Sequence, residues 1–395
     1  MSVKKIRFLL FFSFFISHFS IVSALDFGVL LNQGAGYGGM GSDGKFDYSI
    51  SIVPRISGLI GKAGDFIISG SFEADYNGAW SYTPELLTTE FSFHPGGGAI
   101  EIGRMYHCDP LGFVAEGLFD GVKLAYSGEA GTFSAGAWYT GLLYKKRAII
   151  AMTAEELEAI SAPFKFSDFM GTYFAPKRFM GALGWEHLGW ALRTRISLLG
   201  QFDFFGDKPL NSQYAIIKFT VPAKAVSLSL GGCFELMEGV GDLKTAFAAE
   251  AGIAIAPPRN RISLLARYSS GANGQMAAFL PFTTESQGNI LGVKLSGLAL
   301  AELDYLASIH RTFSLNVNTS YFMRTDTVTF SGYPLSTGSG GGKFLGSEFF
   351  GQFIWNPVSD LAINLGGGIF MPSLGDAAPK ADNKWRVELN VVLSF

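Results

Sequence analysis

The chain has 395 residues, a net charge of −3 and only 16% charged residues, against roughly 25% for a soluble globular domain. That near-neutral balance excludes a nucleic-acid partner, which needs a basic surface. A mean hydropathy of +0.27, with 37 Phe, 14 Tyr and 50 Gly, excludes an ordinary polar exported domain and asks where so much apolar surface goes.

Residues 1–24 have the plan of a signal peptide. Lys4, Lys5 and Arg7 come first, then an apolar stretch from Phe8 to Ile21, then Val22, Ser23 and Ala24 as a small-x-small cleavage site. The stretch is shorter than the ~20 apolar residues a membrane helix needs, and Ser13, Ser17, His18 and Ser20 dilute it. No later run could form a membrane helix, so the excess hydrophobicity belongs on alternating strands that face lipid. Two cysteines, Cys108 and Cys233, are too few for a disulfide framework.

Residues 25–395 read as a single domain. A short strand over 26–33 precedes a glycine run at 34–39 that matches GxGxxG. No helix pattern follows, so the run reads as a hairpin loop rather than a dinucleotide site. Phe46, Tyr48, Ile50 and Ile52 then alternate with Asp47, Ser49 and Ser51. Phe66, Ile68, Phe72 and Tyr76 alternate with Ser69, Ser71, Glu73 and Asp75. A period of two means a strand with one oily and one polar face. In the loop over 107–119, His107, Cys108 and Asp109 are adjacent, and three adjacent side chains cannot converge on one ion, so no metal is expected. Residues 145–177 break the strand pattern. There Thr153 and Glu156 have capping-box spacing, which predicts a short helix. A loop this long either folds into a barrel as a constriction or lies outside as a flap.

Strands over 179–187 and 190–204 carry Arg193, Arg195, Ser197, Gln201 and Asp203 on the polar face. Later strands add Lys218, Glu235, Lys244, Glu250 and Arg267. A second long loop covers 270–288. Parity runs unbroken through Ser296, Gly297 and Leu298, so 289–309 reads as one strand with Lys294, Glu302 and Asp304 on its polar face. A third loop covers 326–344. In the final strand, Trp385, Val387, Leu389, Val391, Leu393 and Phe395 alternate with Arg386, Glu388, Asn390 and Ser394. A strand that ends the chain has a bare edge, and pairing it with the first strand closes a cylinder.

The fold class is therefore all-β, a transmembrane antiparallel β-barrel of about 18 strands. Counting back from the C-terminus puts the short turns on one side and the long loops on the other. In hydrocarbon every backbone polar group must pair internally, which only a closed barrel achieves with strands. A barrel this wide encloses an aqueous lumen. Trp185, Trp190, Trp355, Trp385 and Tyr305 fall near strand ends, where amphipathic rings suit the membrane interface.

Four short stretches carry a family resemblance. Residues 346–350 (GSEFF), 356–360 (NPVSD) and 365–372 (LGGGIFMP) resemble the alginate-export and related porin-like outer-membrane barrels. Residues 117–124 (GLFDGVKL) are similar to the strand after the inward loop of substrate-selective porins. The resemblance implies about 18 strands and, for alginate exporters, a lumen lined by arginine. Here the polar faces mix bases with Asp47, Glu73, Glu90, Glu235, Glu250, Glu302, Asp304 and Glu388.

The expected function is a porin-type channel for small hydrophilic solutes. Its candidate pore-lining residues are Arg193, Arg195, Lys218, Lys244, Arg267, Lys294, Glu302, Asp304, Arg386 and Glu388, with Arg193 and Arg195 the first choice for solute contact. Alternatives are a surface adhesin acting through the long loops, and a specific transporter of a polysaccharide or hydrophobic solute. His94, His107, His187 and His310 have no nucleophile partner motif, so no enzyme activity is expected, and no cofactor. The expected partners are outer-membrane lipid, the transported solutes and, through the strand ending at Phe395, the barrel-assembly machinery. The expected location is the bacterial outer membrane.

Overall fold

The computed structural model describes residues 22–204, 209–239, 242–272, 276–327, 330, 332–335 and 341–395. The predicted export signal lies almost wholly outside them. The first half of the wall is β1 (Val22–Met40), β2 (Asp43–Ile60), β3 (Gly64–Tyr76), β4 (Trp80–Phe93), β5 (Gly98–Cys108), β6 (Glu116–Gly128), β7 (Gly131–Tyr139), β8 (Phe179–Leu188) and β9 (Arg193–Phe202). It continues with β10 (Asn211–Ala223), β11 (Val226–Glu238), β12 (Leu243–Ile255) and β13 (Asn260–Ser269). Two short strands, β14 (Ser286–Gln287) and β15 (Val293–Lys294), pair only with each other. The wall ends with β16 (Leu298–His310), β17 (Phe313–Arg324), β18 (Phe344–Val358), β19 (Leu361–Met371) and β20 (Lys384–Ser394).

The wall is one 18-stranded antiparallel sheet closed on itself. β20 pairs with β1 from Met40–Lys384 to Leu30–Ser394. The closure continues past the strand, where Val29 and Phe395 exchange both backbone hydrogen bonds at 3.1 and 2.9 Å. Turns between β2 and β3, β6 and β7, β10 and β11, β16 and β17, and β18 and β19 take two or three residues. The connections over 140–178, 270–297 and 325–343 all leave the opposite rim. This is the segregation of turns expected from the sequence. The outer face is apolar: Phe27, Leu59, Phe72, Leu124, Leu183, Leu198, Leu230 and Phe353 are exposed there.

Two sequence expectations need correction. The glycine run is not a loop but the upper part of β1. Gly36 lies beside Asp47 and Glu388 in the ladders, and a Cβ there would stand 2.5 Å from the Arg386 guanidinium and 2.7 Å from Asp47. The missing side chain lets Arg386 of β20 reach across β1 to Asp47 of β2, at 3.0 and 2.8 Å. Gly36→Val is expected to separate that pair and weaken closure by about 1–3 kcal/mol, as overpacking does. The readout is a lower temperature for loss of the compact gel band of the folded barrel.

The second correction concerns 289–309. Only Leu298–His310 is wall. Residues before it turn inward as the β14–β15 hairpin, so Lys294 sits on an internal loop and not on the barrel face. The cause is on another strand. Glu348 of β18 is fully buried and accepts hydrogen bonds from the backbone N–H groups of Asn289 (2.6 Å), Ile290 (2.9 Å) and Leu291 (2.7 Å). Successive N–H groups make an anion nest, and that nest replaces the ladder that parity alone suggested.

Candidate functional site

Three connections fold into the bore. The first, residues 109–115, is wound around Asp109, whose carboxylate accepts from the N–H groups of Leu111, Gly112, Val114 and Ala115 at 2.7–3.2 Å. Burial pushes this carboxyl up, and the four amide donors pull it back. Asp109 is thus engaged by its own loop; among the described residues no group of three or more His, Cys, Asp or Glu could hold a metal. Cys108 and Cys233 are both free thiols.

The second, residues 140–178, contains the predicted helix at Ala154–Ser161, with both bonds of the Thr153–Glu156 capping box formed. Its base is held by Arg178, fully buried, which donates to Glu156 (2.8 Å), Gln201 (2.7 Å) and the Leu210 carbonyl (2.8 Å). The third, residues 270–297, is held by Glu348 and by Lys384 Nζ on the Leu291 carbonyl at 2.9 Å. Burial lowers the pKa of Lys294 within it.

The three loops also bond to one another. Thr283 N–H donates to Val114 O (3.1 Å) and Thr284 N–H to Ile149 O (2.9 Å), and Glu116 N–H donates to Thr283 Oγ1 (2.9 Å). Between them is an apolar cluster that includes Phe113, Phe119, Ile150, Met152, Phe279 and Phe282. It packs on Tyr214 and Ile216, which share the wall parity of Lys218. Sequence parity marked that face as wet. The inward loops make its outer half dry.

One space left between the loops and the wall is polar. A cavity of about 470 Å³ is bounded by Gly112 and Glu116, by Glu285, Gln287 and Asn289, and by Glu302, Asp304, Asn316, Asn318 and Gln352 of β16 to β18. Arg267 is the cation on its lining. It reaches Glu250 (2.9 Å) and Gln287 (3.0 Å) and lies 5.1 Å from the Phe113 ring centre. Lys218 holds the other Glu250 oxygen at 3.0 Å. Burial raises the Glu285 pKa, and neighbouring Glu116 raises it further.

The sequence candidates therefore separate into groups. Arg267, Glu302 and Asp304 meet at this cavity, with Lys218 one step behind. Arg195 pairs with Glu186 in a different hollow of about 350 Å³ lined by β5 to β9 and the start of the 109–115 loop. Arg193 opens β9 on the short-turn rim and does not line this cavity. Lys244 is exposed at the other rim, 3.8 Å from Asp242. Arg386 and Glu388 pair at 3.2 Å by the closing seam. Sequence reading missed Glu116, Glu285, Gln287 and the amides Asn316, Asn318 and Gln352 as a set. Their shared parity on β16 to β18 was visible, but the loops opposite were not. Another hollow, of about 760 Å³, lies on the lipid-facing side of β6 to β11 among residues such as Leu124, Leu183 and Leu198, and is not a solute path.

No family model and no curated protein sequence matches the chain. The alginate-export resemblance therefore rests on its short motifs alone. Solved structures do match. Pseudomonas aeruginosa OccK5 (OpdH) aligns with a TM-score of 0.61 at 10% identity over 94% of this chain and 98% of its own. OccK2 (OpdF) of the same organism, in complex with glucuronate, aligns with 0.64 at 9% identity over 95% and 99%. OpdK with vanillate, also from that organism, aligns with 0.58 at 11% identity over 94% and 99%. These likenesses establish the 18-stranded outer-membrane barrel fold.

Proposed function

We propose that this chain is an outer-membrane porin-type channel for small hydrophilic solutes, favouring neutral and cationic ones. The observation that carries the reading is the polar cavity, where Glu116, Glu285, Glu302 and Asp304 face Arg267 and a set of amides. Fixed carboxylates at a narrow section attract cations and repel anions. Amides offer paired donors and acceptors to hydroxyl groups. Glucuronate and vanillate, bound by two of the structural neighbours, are carboxylates, so the expected selectivity here differs from theirs. Export through the signal at 1–24 and insertion through the strand ending at Phe395 belong to the same reading; the Phe395 ring is exposed, as a handle for the assembly machinery needs to be. The mix of acids and bases supports small solutes over a polyanion such as alginate. The adhesin alternative needs long loops that stand clear, whereas much of 140–178 and 270–297 is spent filling the bore.

The test is reversal potential in a salt gradient across planar bilayers. The native channel is expected to pass potassium in preference to chloride. Removing a unit charge withdraws about 1 kcal/mol at 4 Å even in water, so Glu302→Gln with Asp304→Asn should lower that preference several-fold. Because the Glu285 pKa is raised, acidification neutralises it before an ordinary carboxyl. Cation preference should begin to fall above the usual carboxylate range, and Glu285→Gln should remove that first step. Anion preference in the native channel contradicts the reading.

A further inference from the structure

One seam of the wall is not a ladder. β4 is paired with β3 from Gly64–Phe93 to Tyr76–Trp80, and β5 with β6 from Gly98–Tyr126 to Cys108–Glu116. Yet β4 and β5 pair with each other only at Phe91–Ile102, Ser92–Glu101 and Phe93–Ile100. Beyond Gly103, which has a φ of +113°, side chains replace the ladder. Thr89 Oγ1 takes the Arg104 N–H at 3.1 Å. The Arg104 guanidinium takes the Leu86 carbonyl. The Tyr173 hydroxyl, from the inward loop, takes the Pro84 carbonyl at 2.9 Å.

Pro84 lies at the far end of the gap, level with the end of β5 in the register of those three pairs. A strand residue presents its N–H and C=O to the same neighbour. Pro84 has no N–H to offer, so β5 could not complete a ladder there.

Residues of the 140–178 loop occupy the opening. On the lumen side Arg147 bonds Glu85 at 2.6 Å and lies 3.5 Å from Glu73. On the lipid side Phe169 lines a hollow of about 490 Å³ with Ile52, Pro54, Phe72, Pro84 and Leu86. Between them is a ring cluster in which Phe169 stacks on Tyr173 at 4.5 Å and Phe164 meets both. Phe166 and Met170 are 61% and 77% exposed. The same loop buries Ile150 and Met152 in the bore, so one connection runs from lumen to bilayer face through the wall.

We propose that the β4–β5 seam is a lateral port, gated by residues 163–175, for small aromatic organic cations moving between lumen and bilayer. When residues 163–175 withdraw, the Arg147 side chain swings off Glu85 and Glu73 while Ile149 keeps its bond to Thr284, and Arg104 stays bound to Asp120 at 2.8 and 2.9 Å. Glu73, Asp75 and Glu85 are then free to take an ammonium or pyridinium charge. The hollow vacated by Phe169 takes the ring, and a cation beside Tyr or Phe rings is itself attracted. This route goes beyond the axial passage proposed above and does not use its residues.

The experiment uses cells carrying the full chain with Cys108→Ala and Cys233→Ala, to which Glu85→Cys and Arg147→Cys are added. A short bis-methanethiosulfonate cross-linker, which loses one sulfinate as each protein thiolate forms its disulfide, bridges positions 85 and 147 across the port on the folded protein, and a reductant releases it, so misfolding cannot mimic locking. The probe is a cationic styrylpyridinium dye that brightens in lipid, with potassium conductance of the purified channel as reference. Locking should cut dye entry to the level of cells lacking the protein and leave potassium conductance within twofold, with recovery on reduction. Phe169→Ala with Tyr173→Ala should raise dye entry several-fold at unchanged conductance. Equal dye entry in locked and released protein overturns the port, as does dye entry that tracks conductance in every variant. Reversal potentials are untouched by either result, so this proposal and the axial reading fail separately.

Discussion

Glu348→Ala is expected to release the β14–β15 hairpin and widen the bore. The carboxylate is fully buried and holds three consecutive backbone N–H groups. Hydrogen bonds to a charged group contribute roughly 1.5–3 kcal/mol each, and a buried donor left without a partner costs about 1–3 kcal/mol. Three such donors cannot stay buried around an alanine, so residues 286–294 move to water. Single-channel conductance should rise several-fold and protease should cut near Gly288 in the folded barrel. Glu348→Gln should fall between, because its amide oxygen still accepts while its NH₂ opposes the nest. A conductance equal to the native channel's would show that the hairpin does not narrow the path.

Arg178→Met is expected to unlatch the other large loop. Its guanidinium, wholly shielded from water, joins Glu156 of the helix at Ala154–Ser161 to Gln201 on β9 and the Leu210 carbonyl. Removing one partner of a buried ion pair costs about 3–5 kcal/mol, since the other charge is stranded. Here the stranded carboxylate is also the capping residue, accepting from Met152 and Thr153 N–H at 2.8 and 3.1 Å. Loop and helix should be lost together: protease should cut within 150–165, while the strands keep their circular dichroism. Arg178→Lys should restore little, because a point charge cannot serve three acceptors as a planar fork does. Native protease resistance in Arg178→Met would mean the apolar cluster alone holds the loop.

The strands were legible because alternation is a local signal and nearly every wall segment has it. The capping box was legible for the same reason, since Thr153 and Glu156 are one turn apart. Contacts across the bore were not. The glycines of β1 look like a loop until Arg386 and Asp47, 339 residues apart, are seen to meet above Gly36. Unbroken parity over 289–309 could not reveal that Glu348 captures the backbone before β16. Arg193 and Arg195 stood out as close neighbours in sequence, but the polar cavity is built where loops meet wall. There Arg267 counts because Gln287 and Phe113 come to it. Parity sorted side chains into outside and inside; it could not divide the inside into wet and dry.

The bonds joining Val114, Ile149, Thr283 and Thr284 tie together loops that spring from well-separated staves of the cylinder. A tube strutted across its own diameter resists being squashed into an ellipse, because flattening must stretch or break the struts. The aperture is then dimensioned by the covalent reach of three loops rather than by the lateral pressure of the surrounding lipid.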